Sequence, residues 1–160
     1  MKSDPGFYDY WPYENRPKIT WPGNARVAFW VAPNIEFYEL DPPPNPYRKA
    51  WPQPHPALPG YSIRDYGNRV GHVRQMEVLE RYGVRGSISL STALCDHHPE
   101  IIAMCAERNW EFFSHGIYNT RYTYGMSEAQ EREMILDSMQ SIYKHTGQHC
   151  AGYLAPALSH

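Results

Sequence analysis

Residues 84–113, VRGSISLSTALCDHHPEIIAMCAERNWEFF, carry the pattern that decides the fold. Residues 84–90 predict a strand, and residues 110–113 predict the next strand. Between them, residues 99–108 predict a short amphipathic helix, and Pro99 suits its first position. A strand, a helix and a strand in this order favour parallel strands joined by a right-handed crossover.

The same alternation extends toward the N-terminus. Residues 26–31, RVAFWV, are an apolar run bounded by Gly23-Asn24 and Pro33, and they predict a buried first strand. Residues 70–82 carry apolar side chains at helical spacing and predict a helix with Gly83 at its C′ position. The predicted apolar stripe of this helix consists of Val70, Val73, Met76, Val78, Leu79 and Tyr82.

It also extends toward the C-terminus. Ser127 predicts the start of the longest helix, because Gln130 three residues later completes a capping box. Gly147 is predicted to end this helix, and residues 150–154 predict a fourth strand. The predicted buried side of the helix consists of Met134, Ile135, Met139, Ile142 and Tyr143.

In two segments the apolar residues follow neither a helical nor a strand periodicity. Residues 1–25 are rich in Tyr, Trp and Pro and predict an irregular arm that packs its aromatic side chains on the rest of the protein. Residues 41–60 contain eight prolines, which exclude a helix or a central strand and predict an extended loop. Such a loop is either a lid over a binding site or a passive surface insertion. Residues 26–160 then form the domain that carries the chemistry.

About four parallel strands and three helices place the chain in the α/β class, as an α/β barrel or a doubly wound sheet. In both architectures the functional groups lie at the carboxyl ends of the strands. Attention therefore goes to the residues that directly follow each predicted strand.

Glu36 follows the first predicted strand, and His115 follows the third. A carboxylate and an imidazole on one rim can serve general acid–base catalysis or hold a metal, although a histidine at a strand end often only makes structural hydrogen bonds. Arg69, at a helix start, either meets a substrate carbonyl or carboxylate or ties down the long loop. His97 and His98 follow the second strand and are predicted to be capping or surface residues.

Composition excludes several classes. The chain has 160 residues, a net charge of −2 and no apolar run of about 20 residues, so neither nucleic acid nor a membrane is an expected partner. The first residues, MKSDPGFYDYW, resemble no signal or transit peptide, and a cytoplasmic location is the default expectation. The three cysteines, at irregular spacing, are predicted to be thiols and not zinc ligands. They are Cys95, Cys105 and Cys150.

Several segments, in order, resemble the polysaccharide deacetylase family (the NodB homology domain), and within it the allantoinase-like branch. They are Asn34-Ile35-Glu36, the segment DYGNRVG at residues 65–71, WEFFSHG at residues 110–116 and GYLAPALSH at residues 152–160. The resemblance implies the N-terminal part of a distorted (β/α)7–8 barrel. It also implies hydrolysis of carbon–nitrogen bonds other than peptide bonds, in amino sugars or cyclic ureides.

The resemblance also implies roles for single residues. Its metal-dependent members carry an Asp-Asp pair after strand one and His-x-x-x-His after strand three, whereas this chain has only Glu36 and the pair His115-x-x-x-Asn119. Glu36 and His115 are therefore expected to be catalytic, with Arg69, Asn119 and Tyr153 binding substrate. Glu36, His115 and Asn119 are the metal-ligand candidates. An amide oxygen suits a hard cation better than zinc, so we expect no cofactor or a weakly bound divalent metal.

Three functional hypotheses follow. The first is a deacetylase-like hydrolase that acts on a small amide, ureide or amino-sugar substrate in carbohydrate or ureide metabolism. The second is a catalytically silent fragment, or a subunit that needs a partner or a second copy to complete its barrel, because the chain ends before the strands that close the family's barrel and supply a late histidine. The third is a small doubly wound binding domain that is complete in itself.

Overall fold

Three parallel strands form the sheet in the order β1-β2-β3: β1 (Asn34–Ile35), β2 (Ser87–Leu90) and β3 (Glu111–Ser114). In the register, Ile35 lies beside Leu90, and Leu90 lies beside Ser114. A single parallel bridge between Ser114 and Tyr153 adds the beginning of a fourth strand. The computed structural model describes residue 6 and residues 9–43, 56–150 and 152–158. Within these residues the sheet is an open portion of the predicted barrel.

Helices connect the strands. α1 (Leu58–Tyr66) continues through a π-helical segment (Gly67–Gly71) into α2 (His72–Arg81), and α3 (Leu94–His97) and α4 (Pro99–Glu107) follow β2. α5 (Glu128–Thr146) follows β3, and short 3-10 turns lie at Tyr13–Asn15, Pro22–Asn24 and Pro156–Leu158. No helix in the described part of the chain is long and apolar enough to cross a membrane.

The core lies between the sheet and the helices. Ile88, Leu90 and Phe112 point from the strands toward this layer, where they pack in one cluster with Ile102 of α4 and Ile142 of α5. The residues that alternate with these along each strand point to the other face of the sheet. They include Asn34 of β1, Ser87 and Ser89 of β2 and Phe113 of β3. Glu36 and His115 directly follow β1 and β3, at the carboxyl-terminal edge of this second face.

The predicted first strand is displaced along the chain. Pairing starts at Val31, which bridges Gly86. The carbonyl oxygens of Val31, Pro33 and Ile35 accept hydrogen bonds from the backbone N–H groups of residues 87, 89 and 91. Residues 26–30 are unpaired, and Phe29 is 78% exposed. The prediction of a buried strand at 26–31 is therefore wrong for most of its length, because β2 offers no partner before Gly86.

The helix predicted at 70–82 is longer than its periodicity indicated. Helical structure begins at Leu58, with Pro59 in the first turn where its missing N–H costs nothing, so the predicted loop at 41–60 ends earlier than expected. Residues 44–55 of that loop lie outside the described residues. Gly83 takes a φ of 64°, as predicted for C′. Of the predicted stripe only Met76 is buried, since α2 contacts the core along a narrow line.

The capping prediction for α5 is confirmed. The Ser127 hydroxyl accepts a hydrogen bond from the Gln130 N–H, the Gln130 side chain accepts one from the Ser127 N–H, and Gly147 takes a φ of 71°. The buried face is rotated from the prediction, since Ser138 and Ile142 are buried whereas Met139 and Tyr143 are exposed.

Two further predictions concern less regular parts of the chain. The described aromatic residues of the arm, including Tyr10, Trp11, Tyr13 and Trp21, are exposed, so the expected packing of the arm is not seen in residues 9–25. All three cysteines are buried free thiols, as predicted. Burial raises the pKa of Cys105 to about 12, which makes this thiol unreactive at neutral pH.

Candidate active site

Glu36 and His115 meet at the carboxyl ends of β1 and β3. Oε1 of Glu36 lies 3.3 Å from Nε2 of His115, although 79 positions separate the two residues in the sequence. The contact follows from the register, because each residue comes directly after a strand that pairs with β2. The backbone N–H of His115 donates to the Leu90 carbonyl oxygen at 2.8 Å, which fixes the backbone directly after β3.

A backbone carbonyl orients the His115 ring. Nδ1 of His115 lies 2.6 Å from the carbonyl oxygen of Leu154. Because a carbonyl oxygen only accepts, Nδ1 carries a proton, and Nε2 is the nitrogen that exchanges a proton with Glu36 or with a bound molecule. The ring is 4% exposed, so this orientation is held inside the protein.

Asparagine side chains surround the Glu36 carboxylate. Asn119 donates to Oε2 at 3.0 Å, and Asn34 donates to Oε1 at 3.3 Å. Asn119 also donates to the hydroxyl of Tyr38. From the helical side, Asn68 donates to the backbone carbonyl oxygen of Glu36 at 3.0 Å. Both the backbone and the carboxylate of Glu36 are therefore held in place.

These contacts change the ionisation of Glu36. The hydrogen bond from His115 holds the pKa of Glu36 below its ordinary value of 4.5, burial works in the opposite direction, and the charge of His115 and hydrogen bonds from Tyr38 and Asn34 lower the pKa further. Glu36 is consequently a carboxylate at neutral pH.

The lowered pKa predicts an acid-dependent loss of stability. A carboxyl group with a folded pKa below its unfolded pKa stabilises the protein above the unfolded value of 4.5, and this contribution is lost as the pH falls through the folded pKa. We expect Glu36→Gln to lower the free energy of unfolding at pH 6 and to reduce its fall between pH 5 and pH 3. Urea unfolding across this range measures both slopes, and parallel curves for the two proteins would contradict the assignment.

A second set of contacts ties the loop after β3 to the segment after β1. Arg121 donates two hydrogen bonds to Glu39, Nη2 to Oε1 at 2.6 Å and Nε to Oε2 at 3.0 Å, and Thr120 donates to Oε2 at 2.6 Å. The Asn119 N–H donates to the Phe37 carbonyl oxygen at 3.0 Å. Burial raises the pKa of Glu39, but the hydrogen bonds from Arg121 and Thr120 outweigh it and the net pKa is lowered. Together these contacts between the two segments hold Asn119 next to Glu36.

His72 is a further titratable group close to Glu36. It lies at the start of α2, and desolvation lowers its pKa below 6.5, against the opposing effects of a hydrogen bond with Gln75 and the negative charge of Glu36. His72 is therefore largely neutral at pH 7, and Glu36 keeps His115 as its imidazole partner.

The structure brings together three of the five predicted site residues, Glu36, His115 and Asn119. Arg69 is 63% exposed and pairs with Asp65 of α1 at 2.5 Å, so its two predicted roles, contact with the substrate and attachment of the long loop, both stay predictions. Tyr153 bridges Ser114, and burial, together with the charge of Glu131, raises its pKa. Glu131 belongs to α5, and the role of Tyr153 in substrate binding stays a prediction.

The remaining histidine predictions concern the exit of β2. His97 is exposed and stacks on Phe37, with ring centroids 4.2 Å apart, and Tyr118 meets Phe37 edge-on at 5.9 Å. His98 takes the N-cap position of α4 without a side-chain capping bond. His97 is therefore a surface residue, as predicted, with an aromatic contact that the sequence did not indicate.

Sequence reasoning missed Tyr38, Asn68 and Arg64. Arg64 of α1 lies with its guanidinium carbon 4.2 Å from the centre of the Tyr38 ring. Tyr38 stands two residues after Glu36 and, as on a strand, shares its side of the chain, which is a signal that could have identified it. Asn68 and Arg64 lie 32 and 28 positions from Glu36, and no local pattern connects them to it.

The donor set around Glu36 differs from that of a catalytic zinc site. Catalytic zinc sites use three protein ligands, whereas the cluster offers one imidazole nitrogen, one carboxylate and an amide whose N–H2 group faces the carboxylate. No group of three His, Cys, Asp or Glu residues within residues 9–43, 56–150 and 152–158 is arranged to hold a metal ion. These residues do not fit a tight zinc site.

The fold and the cluster define a class, namely a parallel α/β protein with a carboxylate–imidazole pair at the exits of its strands. The family model for polysaccharide deacetylase matches residues 63–160, and the chain belongs to this family. A search of curated proteins found no match.

Solved structures share this fold. A probable polysaccharide deacetylase from Pseudomonas aeruginosa PAO1 is 27% identical with a TM-score of 0.73, and the match covers 88% of this chain and 50% of that chain. Puue allantoinase is 24% identical with a TM-score of 0.73, covering 91% and 53%. A CE4 family pseudoenzyme from Bacillus anthracis is 20% identical with a TM-score of 0.53, covering 58% and 32%. The chain thus spans about half the length of the first two relatives and corresponds to their N-terminal portion.

Proposed function

We propose that this protein contributes the carboxylate–imidazole pair of a hydrolase that acts on carbon–nitrogen bonds other than peptide bonds. The observation that carries the proposal is the 3.3 Å contact between Glu36 and His115 at the strand exits, where α/β folds place their chemistry. Family membership supports the reaction class. The substrate is a small linear or cyclic amide, a ureide or an N-acetylated amino sugar.

Glu36 is the general base in this proposal. It is ionised at neutral pH, as a base must be, and its carboxylate is 25% exposed, so that water can reach it. The donors that lower its pKa also weaken its basicity. We therefore expect the substrate to replace one of these donors when it binds, which would raise the basicity of Glu36 while a water molecule is being activated.

His115 is the acid that faces the substrate carbonyl or the leaving nitrogen. Its Nδ1 proton is committed to Leu154, so only Nε2 is available for transfer. Hydroxide equivalent from water adds to the carbonyl carbon as Glu36 takes the proton. The carbon–nitrogen bond then breaks as the leaving nitrogen receives a proton from Nε2. Asn119 holds the carboxylate in position throughout.

The test is hydrolysis of allantoin-type ureides and N-acetylated oligosaccharides by the 160-residue chain and by a version extended to the length of its relatives, with and without chelator. We expect turnover that is lost in Glu36 and His115 variants. Sensitivity to chelator would support the weakly bound divalent metal predicted from the sequence. Turnover that is unchanged by substitution of Glu36 and of His115 would contradict the proposal.

A second candidate is a subunit that needs a further polypeptide or a second copy to complete its barrel. The supporting observation is a set of exposed apolar side chains on α5, Leu136, Met139 and Tyr143, together with the half-length coverage of the relatives. Exposed apolar surface of this kind favours association. The same set also fits a fragment that is catalytically silent by itself.

Light scattering after size-exclusion chromatography tests this candidate. If α5 is an interface between copies, we expect concentration-dependent dimers that Leu136→Glu dissociates, whereas Val78→Glu, on an exposed position of α2, leaves them intact. A monomeric wild-type chain that turns over substrate without any partner would exclude the candidate.

A further inference from the structure

We propose that Arg64 recognises a carboxylate on the substrate, so that the site takes acidic amides or ureides in preference to neutral ones. This inference rests on the proposed function and names the substrate class of the same site. The observation behind it is the position of Arg64, whose guanidinium lies over the ring of Tyr38 beside the Glu36 cluster.

Tyr38 connects Arg64 to the reacting groups. Its hydroxyl accepts a hydrogen bond from Asn119, and Asn119 donates to Oε2 of Glu36 at 3.0 Å. The guanidinium carbon of Arg64 lies 4.2 Å from the centre of the same ring, so the cation is one side chain away from the carboxylate that would activate water. A guanidinium over an aromatic ring has several N–H groups, and those that are not already donating can bind a carboxylate.

The arginines around the site differ in their partners. Arg69 pairs with Asp65 at 2.5 Å, and Arg121 pairs with Glu39 at 2.6 Å. Arg64 is exposed and donates to the carbonyl oxygen of Gly60 at 3.2 Å, and none of the carboxylates that the structure describes lies within ion-pair distance of it. Its charge is therefore not neutralised by those groups.

The carboxylates nearest to Arg64 in the chain and in the site are engaged by other groups. Asp65, which follows Arg64 in α1, pairs with Arg69 at 2.5 Å. Glu36 itself is engaged by His115, Asn119 and Asn34. A ligand that brings its own carboxylate would provide the missing counter-charge and would place its amide or ureide group toward Glu36 and His115. Arginine is suited to this task because its planar fork binds a carboxylate through two parallel hydrogen bonds.

Calorimetric titration of the 160-residue chain tests the inference without requiring turnover. The probes are hydantoin-5-acetate with its neutral amide, hydantoin-5-acetamide, and N-carbamoylglycine with N-carbamoylglycinamide. For the wild-type chain we expect each acid to bind about tenfold more tightly than its amide, the usual scale for a charge-assisted contact. Arg64→Gln should remove this preference, whereas Arg132→Gln, a matched loss of an exposed guanidinium on α5, should keep it. Circular dichroism of each variant checks that α1 is intact.

Equal affinity of the wild-type chain for acid and amide would overturn the inference, as would a preference that survives Arg64→Gln or the absence of binding by all four probes. The experiment distinguishes failure of this inference from failure of the proposed function. Hydrolysis of the neutral amides that depends on Glu36 without any acid preference would refute only the role of Arg64. An Arg64-dependent acid preference without hydrolysis by any form of the protein would refute only the reaction.

Discussion

Replacement of Glu36 by Gln is expected to lower kcat/KM by about 10²–10⁴-fold, the usual contribution of a general base. Gln keeps the shape of the side chain and can still contact Asn34 and His115, but its amide cannot take a proton from water. The loss should appear mainly in kcat, because the substitution removes an interaction that forms in the transition state. Initial rates on the substrate that gives the highest turnover in the panel measure the effect.

Glu77→Gln is the control, since Glu77 is an exposed carboxylate on α2. It should change kcat/KM less than about twofold, consistent with the small effects of surface substitutions. An equal effect of the two substitutions would show that the loss reflects net charge and not the base. His115→Gln should resemble Glu36→Gln, and the double variant should lose little more, because residues that act as a unit are non-additive.

Phe112→Ala is expected to lower the free energy of unfolding by about 3–5 kcal/mol, whereas Phe29→Ala should change it by less than about 1 kcal/mol. The chemical change is identical, but Phe112 is 1% exposed in the centre of β3 and Phe29 is 78% exposed. Removal of the Phe112 ring leaves a cavity between the sheet and the helices, next to Ile102 and Ile142. Urea denaturation followed by circular dichroism measures both values.

Comparable losses for the two substitutions would contradict the displaced first strand. A large effect of Phe29→Ala would mean that residues 26–31 form the buried strand that their apolar run predicts. Unchanged stability after Phe112→Ala would mean that β3 is not in the core. The slope of the free energy against urea concentration should be the same for the wild type and both variants if only the folded contacts change.

Local signals predicted much of the fold. The cap at Ser127 and the glycines after α2 and α5 depend on neighbouring residues, and the structure has them where the sequence indicated. The order of strands and helices also agrees, although the first strand is displaced and helical structure begins at Leu58. Burial depends on distant partners and was harder to predict. Residues 26–31 have the composition of a buried strand, but a strand is buried only where another strand pairs with it, and β2 begins too late to pair with Phe29.

The residues of the functional site were likewise predicted where a local signal indicated them and missed where contacts between distant residues decided. Strand exits indicated Glu36 and His115, because parallel strands bring their carboxyl ends to one edge. The predicted role of Tyr153 in substrate binding stays a prediction, since the structure gives its bridge to Ser114 and no substrate. Arg64 could not be assigned because α1 begins in a segment whose proline content predicted a loop, and helix α1 itself brings Arg64 to Tyr38.

The partner of His115 has a consequence for how this site can vary. Many histidines are oriented by an Asp, Glu or Asn side chain, so a single substitution at that partner abolishes their alignment. Here the acceptor is the main-chain oxygen of residue 154, which every amino acid possesses. The side chain at this position can therefore diverge without altering which imidazole nitrogen faces Glu36, provided that the path of the backbone from Gly152 to Pro156 is preserved. The orientation of His115, the proposed acid, therefore depends on the path of the backbone. Side chains that recognise the substrate can change without altering that orientation.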